Sequence, residues 1–301
     1  MQAHGIERGR ERRGLLIGLS ITLVILLLEV AGGLLTRSLA LLADAGHMLV
    51  DLFSLGLSLL ALSFALRPST KRFTYGYYRL EILAALANGV LLLGVCLYIS
   101  YQAYQRLLDP PQIDSLGMLG IAAIGLLANL AVLLFIRGGK SLNLRSAFLH
   151  VLGDTLSSIG IIVGGVIIMV TGWSIVDPLI SIFIAILIAI SGYRVIREAL
   201  DILLEVTPKD IDLERVIEAI RNVGDVQDVH DLHLWSISSG LHALSAHLVT
   251  ADISISRSER IAAQVRDELA DRFGIRHCTL QFEREGCGKG ILCDMELESK
   301  E

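Results

Sequence analysis

The sequence Ser38-Leu-Ala-Leu-Leu-Ala-Asp44-Ala-Gly-His47-Met-Leu-Val-Asp51 is an apolar run that contains three ionisable side chains. The run continues without charge to residue 66. Residues 39–66 are therefore long enough to cross a membrane as a helix, which needs about 20 mostly apolar residues. Because ionisable groups inside a membrane are costly and usually functional, this stretch predicts both a membrane span and a functional site within it.

Five further apolar segments have the length of a membrane span: 14–36, 81–105, 115–136, 146–171 and 178–200. Of the 301 residues, 53% are hydrophobic and the mean hydropathy is +0.63, which excludes a purely soluble or a disordered protein. The joints between the segments are short, so we expect an antiparallel up-and-down bundle of six helices over residues 14–207. No small-residue cleavage site follows the first segment, which indicates a retained span rather than a signal peptide.

Basic residues are distributed unevenly between the joints. The N-terminal segment 1–13 and the joint after the second span carry four Lys and Arg each, and the joint after the fourth span carries three. The opposite side has only Arg37 and Arg106. Since Lys and Arg in short loops stay on the cytoplasmic side, both termini are expected in the cytoplasm. The short loops suit a bacterial inner membrane.

The C-terminal part, residues 208–301, differs in charge from the rest. It has 11 Lys and Arg against 18 Asp and Glu, whereas residues 1–207 have 15 against 13. The acidic part shows no basic stripe of the kind that binds nucleic acid, so a nucleic-acid partner is not expected.

Two spans carry the same ionisable pattern. His47 precedes Asp51 by four residues in the second span, and His150 precedes Asp154 by four residues in the fifth. Residues four apart share one helix face, so two such helices facing each other offer two imidazole nitrogens and two carboxylate oxygens. That tetrahedral donor set suits Zn²⁺. Asp44 shares the face of His47 and is interpreted as a group that orients a ligand without touching the metal or, preferably, as an interior hydrogen-bonding group.

Other polar residues in the spans have simpler interpretations. Glu29, Asn88 and Asn129 are interpreted as interior hydrogen-bonding groups. Asp177, directly before Pro178, is interpreted as a helix N-cap. Gly160 and Gly164 have the spacing of small residues at which helices pack closely.

Residues 208–284 predict a small α+β domain of order αββαβ. Helices are expected at 211–223 and 257–273, and strands at 226–237, 241–250 and 276–283. Five of the eight His lie here: His230, His233, His242, His247 and His277. Side chains alternate along a strand, so His230 and His233 are predicted to point to opposite faces, and so are His242 and His247. One histidine of each pair could therefore share a metal site.

A second, neighbouring metal site could combine His277 with Cys287 and Cys293, because thiolates and imidazole are good Zn²⁺ ligands. The alternative for each cysteine, Cys278 included, is a free reduced thiol. For His233 and His242 the alternative is an ordinary surface or core histidine, and for His4 a place in a mobile N-terminus.

The chain resembles the cation diffusion facilitators in four motifs that occur in order. They are the stretch from Ser38 to Asp51 quoted above, Phe73-Thr-Tyr-Gly-Tyr-Tyr-Arg79-Leu-Glu81, His150-Val-Leu-Gly-Asp154 and His230-Asp-Leu-His-Leu-Trp235. The resemblance implies a homodimeric zinc/proton antiporter that exports metal from the cytoplasm. It also implies a six-helix membrane domain and a cytoplasmic ferredoxin-like, metallochaperone-like domain.

The resemblance also implies site residues. The transport site would be His47, Asp51, His150 and Asp154, the double His-Asp version typical of the zinc-selective branch, which also passes cadmium or cobalt. In the cytoplasmic domain the family pattern matches His230 and His247, with Glu283 as an acidic partner. There, Zn²⁺ would be a regulatory or structural ion.

The chain departs from many relatives in two joints. The joint from Arg137 to Arg145 has no histidine, whereas many members carry a His-rich loop there. The joint from Arg67 to Tyr78 has no His, Asp or Glu, so no metal site is expected in it.

Three other functions compete with antiport. A metal-dependent hydrolase is disfavoured because four protein ligands leave no open position for water, so the chain is not expected to be an enzyme. A passive metal channel and a metal sensor that transports nothing remain alternatives, as does export of mainly another divalent metal, such as Cd, Co, Fe or Mn.

Overall fold

The computed structural model describes residues 22–65, 67–136 and 142–286. Its membrane part consists of long helices joined by short connections. These are α1 (Thr22–Thr36, as far as the chain is described), α2 (Leu39–Ala65), α3 (Arg79–Leu108), α4 (Ser115–Ile136), α5 (Leu142–Thr171) and α6 (Val176–Leu203).

Five of the six predicted spans are confirmed to within a few residues, whereas residues 14–21 of the first lie outside the described part of the chain. Helices α2 to α6 each contain a segment long and apolar enough to cross a membrane, and the described part of α1 is a shorter apolar helix. The long helices present many large apolar side chains on their surfaces, among them Leu35, Leu97 and Val170. A helix that is apolar on nearly all sides is typical of a membrane span.

The chain divides into two units. One contains the chain up to Leu57 together with Ala87–Val195, and the other contains Ser58–Leu86 together with the chain from Ile196 onwards. In the first unit, buried side chains of α2 to α6, among them Leu41, Met118 and Ile184, form a continuous apolar core. Gly164 of α5 lies so close to α6 that a Cβ there would be 2.1 Å from the Ile180 side chain, whereas Gly160 has open space. The close packing predicted from glycine spacing therefore rests on Gly164.

The C-terminal domain has the predicted order αββαβ. Its elements are α7 (Leu213–Arg221), β1 (Val226–Ser238), β2 (Leu241–Thr250), α8 (Ile255–Phe273) and β3 (His277–Glu283). Helix α7 begins at its N-cap Asp212, whose carboxylate accepts the Glu214 and Arg215 N–H groups. Helix α8 ends at Gly274, whose φ of 69° is the left-handed conformation that glycine adopts without strain.

The three strands form one sheet in the order β1-β2-β3, with β1 antiparallel and β3 parallel to β2. One face of the sheet packs on both helices through buried side chains that include Leu232, Leu244, Val216 and Val265. The other face has only partly buried positions at Ser245 and His247 of β2.

A bulge interrupts β1 at the centre of the domain. His230 pairs with His247 and His233 pairs with Ser245, so three steps along β1 match two steps along β2. The extra residue is Asp231, whose φ of 47° is uncommon for a residue with a side chain. Because residues 245 and 247 share a face, His230 and His233 also share it, and the prediction that they point to opposite faces is wrong.

Candidate metal centres

The first centre lies in the membrane unit between α2 and α5. His47 Nε2 is 3.3 Å from Asp51 Oδ2 on its own helix and 3.7 Å from Asp154 Oδ1 on α5. The side chains of His47, Asp51 and Asp154 retain 14%, 28% and 18% of their exposure. Three of the four predicted transport ligands therefore lie together and remain accessible to a small ion.

The fourth predicted ligand is His150. Its backbone belongs to α5, one turn before Asp154, but its side chain lies outside the described part of the structure. By helical spacing it shares the face of Asp154.

Further polar groups are buried in the membrane unit. Asp44 is fully buried on α2, one turn before His47, and Glu29 of α1 is equally buried. Within the described residues, Glu29 Oε2, Asn88 Oδ1 and Ser158 Oγ are buried without a hydrogen-bond partner. For one oxygen each of Glu29 and Asn88, the described residues therefore provide no partner for the predicted interior hydrogen bonding.

Asp177 has a different role from the one its sequence position suggests. It lies in the first turn of α6, yet its carboxylate accepts hydrogen bonds from the Leu39 and Ala40 N–H groups of α2 and from the Ser38 hydroxyl. The predicted cap is present, but the helix that Asp177 caps is α2. Proximity to Pro178 could not show this, because the capped helix begins more than a hundred residues earlier.

The second centre lies on the face of the C-terminal sheet that does not pack against α7 and α8. One ligand atom from each of His230, His247 and Glu283 lies within 4.8 Å of the others, the only such group of three found among the described residues. His230 Nε2 is 3.0 Å from Glu283 Oε2, and His247 Nδ1 is 3.0 Å from Glu283 Oε1. Two imidazoles and a carboxylate are a suitable donor set for Zn²⁺.

Asp231 was not among the predicted site residues, although it joins this centre. Its carboxylate lies 3.6 Å from His247 Nε2 and 3.2 Å from His233 Nε2. A carboxylate on the second nitrogen of a histidine orients the ring and selects its tautomer. Strand alternation points Asp231 away from His230, and only the bulge turns it towards His247.

The remaining predicted cytoplasmic ligands lie apart from the cluster or outside the description. His277 begins β3 opposite Ala243, and its ring packs edge-on against Tyr75 at 5.4 Å. Cys287 and Cys293 lie outside the described residues, although Gly286, the residue before Cys287, lies against the His230 ring. His4 also lies outside them.

Two further candidates have other environments. The Cys278 side chain packs against the core, and burial raises the pKa of its thiol, so the thiolate that binds metals is disfavoured there. His242 is buried, and its Nδ1 lies 3.1 Å from the Ser236 hydroxyl.

The pKa of Asp228, two residues before His230, is lowered in the folded protein. A hydrogen bond from the Val229 N–H, assisted by Arg221 at 2.7 Å, lowers the pKa of Asp228. Asp228 is therefore ionised at neutral pH and adds negative charge next to His230.

Both parts of the chain match models of known protein families. Residues 15–204 match the cation efflux transmembrane domain, and residues 208–285 match the cytoplasmic domain of cation efflux proteins.

Curated relatives span nearly the whole chain. A cadmium, cobalt and zinc/H⁺-K⁺ antiporter of Bacillus subtilis is 42% identical over 304 residues, covering 99% of this chain and 97% of its own. The metal cation efflux system protein CzcD of Cupriavidus metallidurans is 42% identical, and the match covers 93% of this chain and 89% of that protein. The zinc transporter ZitB of Escherichia coli is 37% identical, and the match covers 95% of this chain and 91% of that protein.

Among solved structures, the metal-bound C-terminal domain of the CzcD transporter from Cupriavidus metallidurans is similar to part of the chain. The match has 36% sequence identity and a TM-score of 0.23, and it covers 24% of this chain and 99% of that domain.

Proposed function

The chain belongs to the cation diffusion facilitator family, and we propose that it exports Zn²⁺ from the cytoplasm in exchange for protons. Efflux of divalent metal cations is the activity that the family model and the named relatives have in common. The finer proposal names His47, Asp51, His150 and Asp154 as the transport site.

The proposal rests on the contacts of His47 Nε2 with carboxylates of two helices, Asp51 of α2 at 3.3 Å and Asp154 of α5 at 3.7 Å. Two aspartates inside a membrane unit would each cost about 2.5–3.5 kcal/mol if uncompensated on the insertion scale. A bound divalent cation offsets that cost. Imidazole together with carboxylate favours Zn²⁺ and accommodates Cd²⁺ or Co²⁺, in keeping with the metals in the name of the Bacillus subtilis relative.

Proton exchange follows from the chemistry of the ligands. Histidine binds a metal only when its coordinating nitrogen is deprotonated, so metal binding from the cytoplasm releases protons. On the opposite side, protons compete for His47 and His150 and release the metal. Each elementary charge that crosses 100 mV is worth about 2.3 kcal/mol, so the direction of exchange depends on the membrane potential as well as on pH.

The cytoplasmic centre supports a regulatory role for a second, resident zinc ion. His230, His247 and Glu283 would hold it, and Glu283 is already oriented by Gln281, which donates a hydrogen bond at 2.6 Å. The match to the cytoplasmic domain model favours a homodimer. We propose that zinc binding in residues 208–301 biases the membrane domain, residues 14–207, within that dimer. The same proposal places the protein in a bacterial inner membrane, with both termini in the cytoplasm.

Zinc flux into proteoliposomes tests the transport function. With an acidic lumen, the wild-type protein is expected to accumulate zinc, and Asp154→Asn is expected to abolish accumulation because one carboxylate ligand is lost. Asp109→Asn, an exposed aspartate in the joint after α3, is the matched control.

Three outcomes contradict the proposal in different ways. Flux that is independent of the pH gradient indicates a channel. Flux driven by a K⁺ gradient alone replaces the proton with potassium, the other ion in the name of the Bacillus subtilis relative. Absence of flux for every divalent metal leaves a sensor.

A further inference from the structure

The amino-terminal end of α2 is capped twice. Ser38 provides a local cap, because its hydroxyl oxygen accepts the Leu41 N–H at 3.3 Å. Asp177 of α6 provides a second, long-range cap, with its two carboxylate oxygens 2.7 Å from the Leu39 nitrogen and 3.2 Å from the Ala40 nitrogen. A helix needs only the local cap in order to begin.

The second cap joins three helices at one point. Asp177 accepts the Ser38 hydroxyl at 2.6 Å, and Arg106 of α3 approaches its other carboxylate oxygen at 3.5 Å. Arg106 also donates to the Arg37 carbonyl at 2.5 Å, in the turn that leads into α2. The ends of α2, α3 and α6 are therefore held by one carboxylate that is completely buried.

Stability alone is a poor explanation for this arrangement. Replacing a buried ion pair by apolar side chains of similar volume is often neutral or stabilising, and the better-attested use of such a pair is to select one arrangement over others. Here the arrangement selected is the position of α2 relative to α6 and α3.

That position matters for the transport site. A helix rises about 1.5 Å per residue, so His47 lies about 12 Å along α2 from Leu39. The helix is continuous between these residues. A fixed Leu39 N–H therefore sets both the height and the rotation at which His47 and Asp51 face α5.

We propose that Asp177 is a positioning residue of the transport site: by tying the start of α2 to α6 and α3, it keeps His47 and Asp51 in register with Asp154. The inference rests on the proposed function, since it concerns the same site. It predicts that loss of the tie weakens zinc binding while α2, with its local Ser38 cap, stays helical.

The test is zinc transport by the full-length protein in proteoliposomes, with KM and maximal rate determined separately. In Asp177→Asn an amide N–H₂ replaces one of the two oxygens that accept hydrogen bonds, so an N–H donor faces another donor. The expected result is a KM raised about tenfold, the lower end of what loss of a group that positions metal ligands costs in metal affinity. Asp114→Asn is the matched control, because Asp114 caps only its own helix, accepting the Gly117 N–H at 3.1 Å. Its KM should stay within about twofold of wild type.

Unchanged KM in Asp177→Asn would overturn the proposal, and so would a lower yield of folded protein with a normal KM. If Asp177→Asn gives no folded protein, Asp177→Glu tests the same point. It keeps the charge and the Arg106 partner but lengthens the tie by one methylene, so its KM should rise as well, and an unchanged KM contradicts the proposal.

His47→Ala in the same assay tests the proposed function independently: normal flux there rejects the transport site, whatever Asp177 does.

Discussion

The two candidate metal centres are built in different ways. In the membrane unit, His47 and Asp51 come from adjacent turns of one helix, and a second helix supplies Asp154. In the cytoplasmic domain, His230, His247 and Glu283 come from three separate strands. A helical centre can therefore be recognised from spacing along the chain, whereas a centre built across a sheet depends on how the strands pair.

The centres also differ in the spacing of their ligand atoms. At the cytoplasmic centre, Glu283 lies 3.0 Å from each of two imidazoles. In the membrane centre, His47 Nε2 lies 3.3 Å from Asp51 Oδ2 and 3.7 Å from Asp154 Oδ1. The exposed fractions of the ligand side chains overlap, at 14–28% in the membrane centre and 4–27% in the cytoplasmic centre, so burial does not distinguish the two.

Among single substitutions, His47→Ala in the membrane centre should have the largest effect. We expect zinc flux in proteoliposomes to fall by about a hundredfold or more, because the site loses the imidazole that meets both carboxylates. Leu49→Ala, which alters an exposed side chain two residues away on α2, should keep flux near the wild-type level. Substantial zinc flux in His47→Ala would remove the membrane centre from transport.

The corresponding change in the cytoplasmic centre, His247→Ala, should have a smaller effect on flux. At saturating zinc we expect the rate to stay within about threefold of wild type, since the cargo site is intact. The zinc-dependent rise in the unfolding midpoint of the C-terminal domain should disappear, because a ligand stabilises only the state that binds it. Fluorescence of Trp235 in a Trp173→Phe background measures that midpoint.

His277→Ala is the matched control for this change, as His277 lies on the same sheet but packs against Tyr75. It should retain the zinc effect. Loss of the effect in His277→Ala would instead place His277 in the site, together with Cys287 and Cys293. A hundredfold fall in flux for His247→Ala would contradict the division of roles between the two centres.

A smaller effect is expected from substitutions of Asp231 in the cytoplasmic centre. Asp231→Asn keeps a residue that tolerates positive φ but removes the charge next to His247. Loss of such an orienting carboxylate typically lowers metal affinity by about 10- to 100-fold, and zinc titration of the Trp235 signal measures it. In Asp231→Gly the backbone is relaxed as well, so equal affinity losses in both variants identify the carboxylate as the cause. Wild-type affinity in either variant would show that His247 needs no such partner.

The smallest effect is expected at Asp228, outside both centres. Because its pKa in the folded protein is lowered, ionised Asp228 stabilises the fold at pH values above its ordinary pKa of about 3.9. That contribution is lost as the pH falls through the lowered value. The unfolding midpoint of Asp228→Asn should therefore lie slightly below wild type at neutral pH and converge with it in acid.

Asp252→Asn is the control for this prediction, since Asp252 is exposed and has no ion pair or hydrogen bond among the described residues. It should leave the pH profile unchanged. A constant difference between Asp228→Asn and wild type at every pH would assign the effect to something other than the charge.

Prediction from sequence succeeded where the decisive interactions are local. Hydrophobic length predicted α2 to α6, because a membrane span must satisfy its backbone within the helix. Hydrophobic patterning along residues 208–284 predicted the αββαβ order. In the structure, Gly240 and Gly274 adopt positive φ at the ends of β1 and α8, which is a local conformation. The i,i+4 spacing of His47 and Asp51 is likewise a property of one helix.

Prediction failed where a contact depends on distant parts of the chain. The bulge at Asp231 shifts the register by one residue, and one residue is enough to move a side chain to the other face of a strand. Strand alternation therefore misplaced His233 and missed Asp231 as a partner of His247. Asp177 was identified as a helix cap, but for the wrong helix.

The sequence by itself determined the helices, the strands and the residue types available at each centre, because these follow from hydrophobicity, periodicity and helical spacing. The family resemblance implied that Asp154 joins His47 and that Glu283 joins His230 and His247, but their distances are properties of the tertiary structure. Only the tertiary structure showed that Asp177 holds the start of α2. Each of these meetings brings together residues far apart in the chain. Their geometry is set by the packing of whole helices and the pairing of whole strands, which no local pattern encodes.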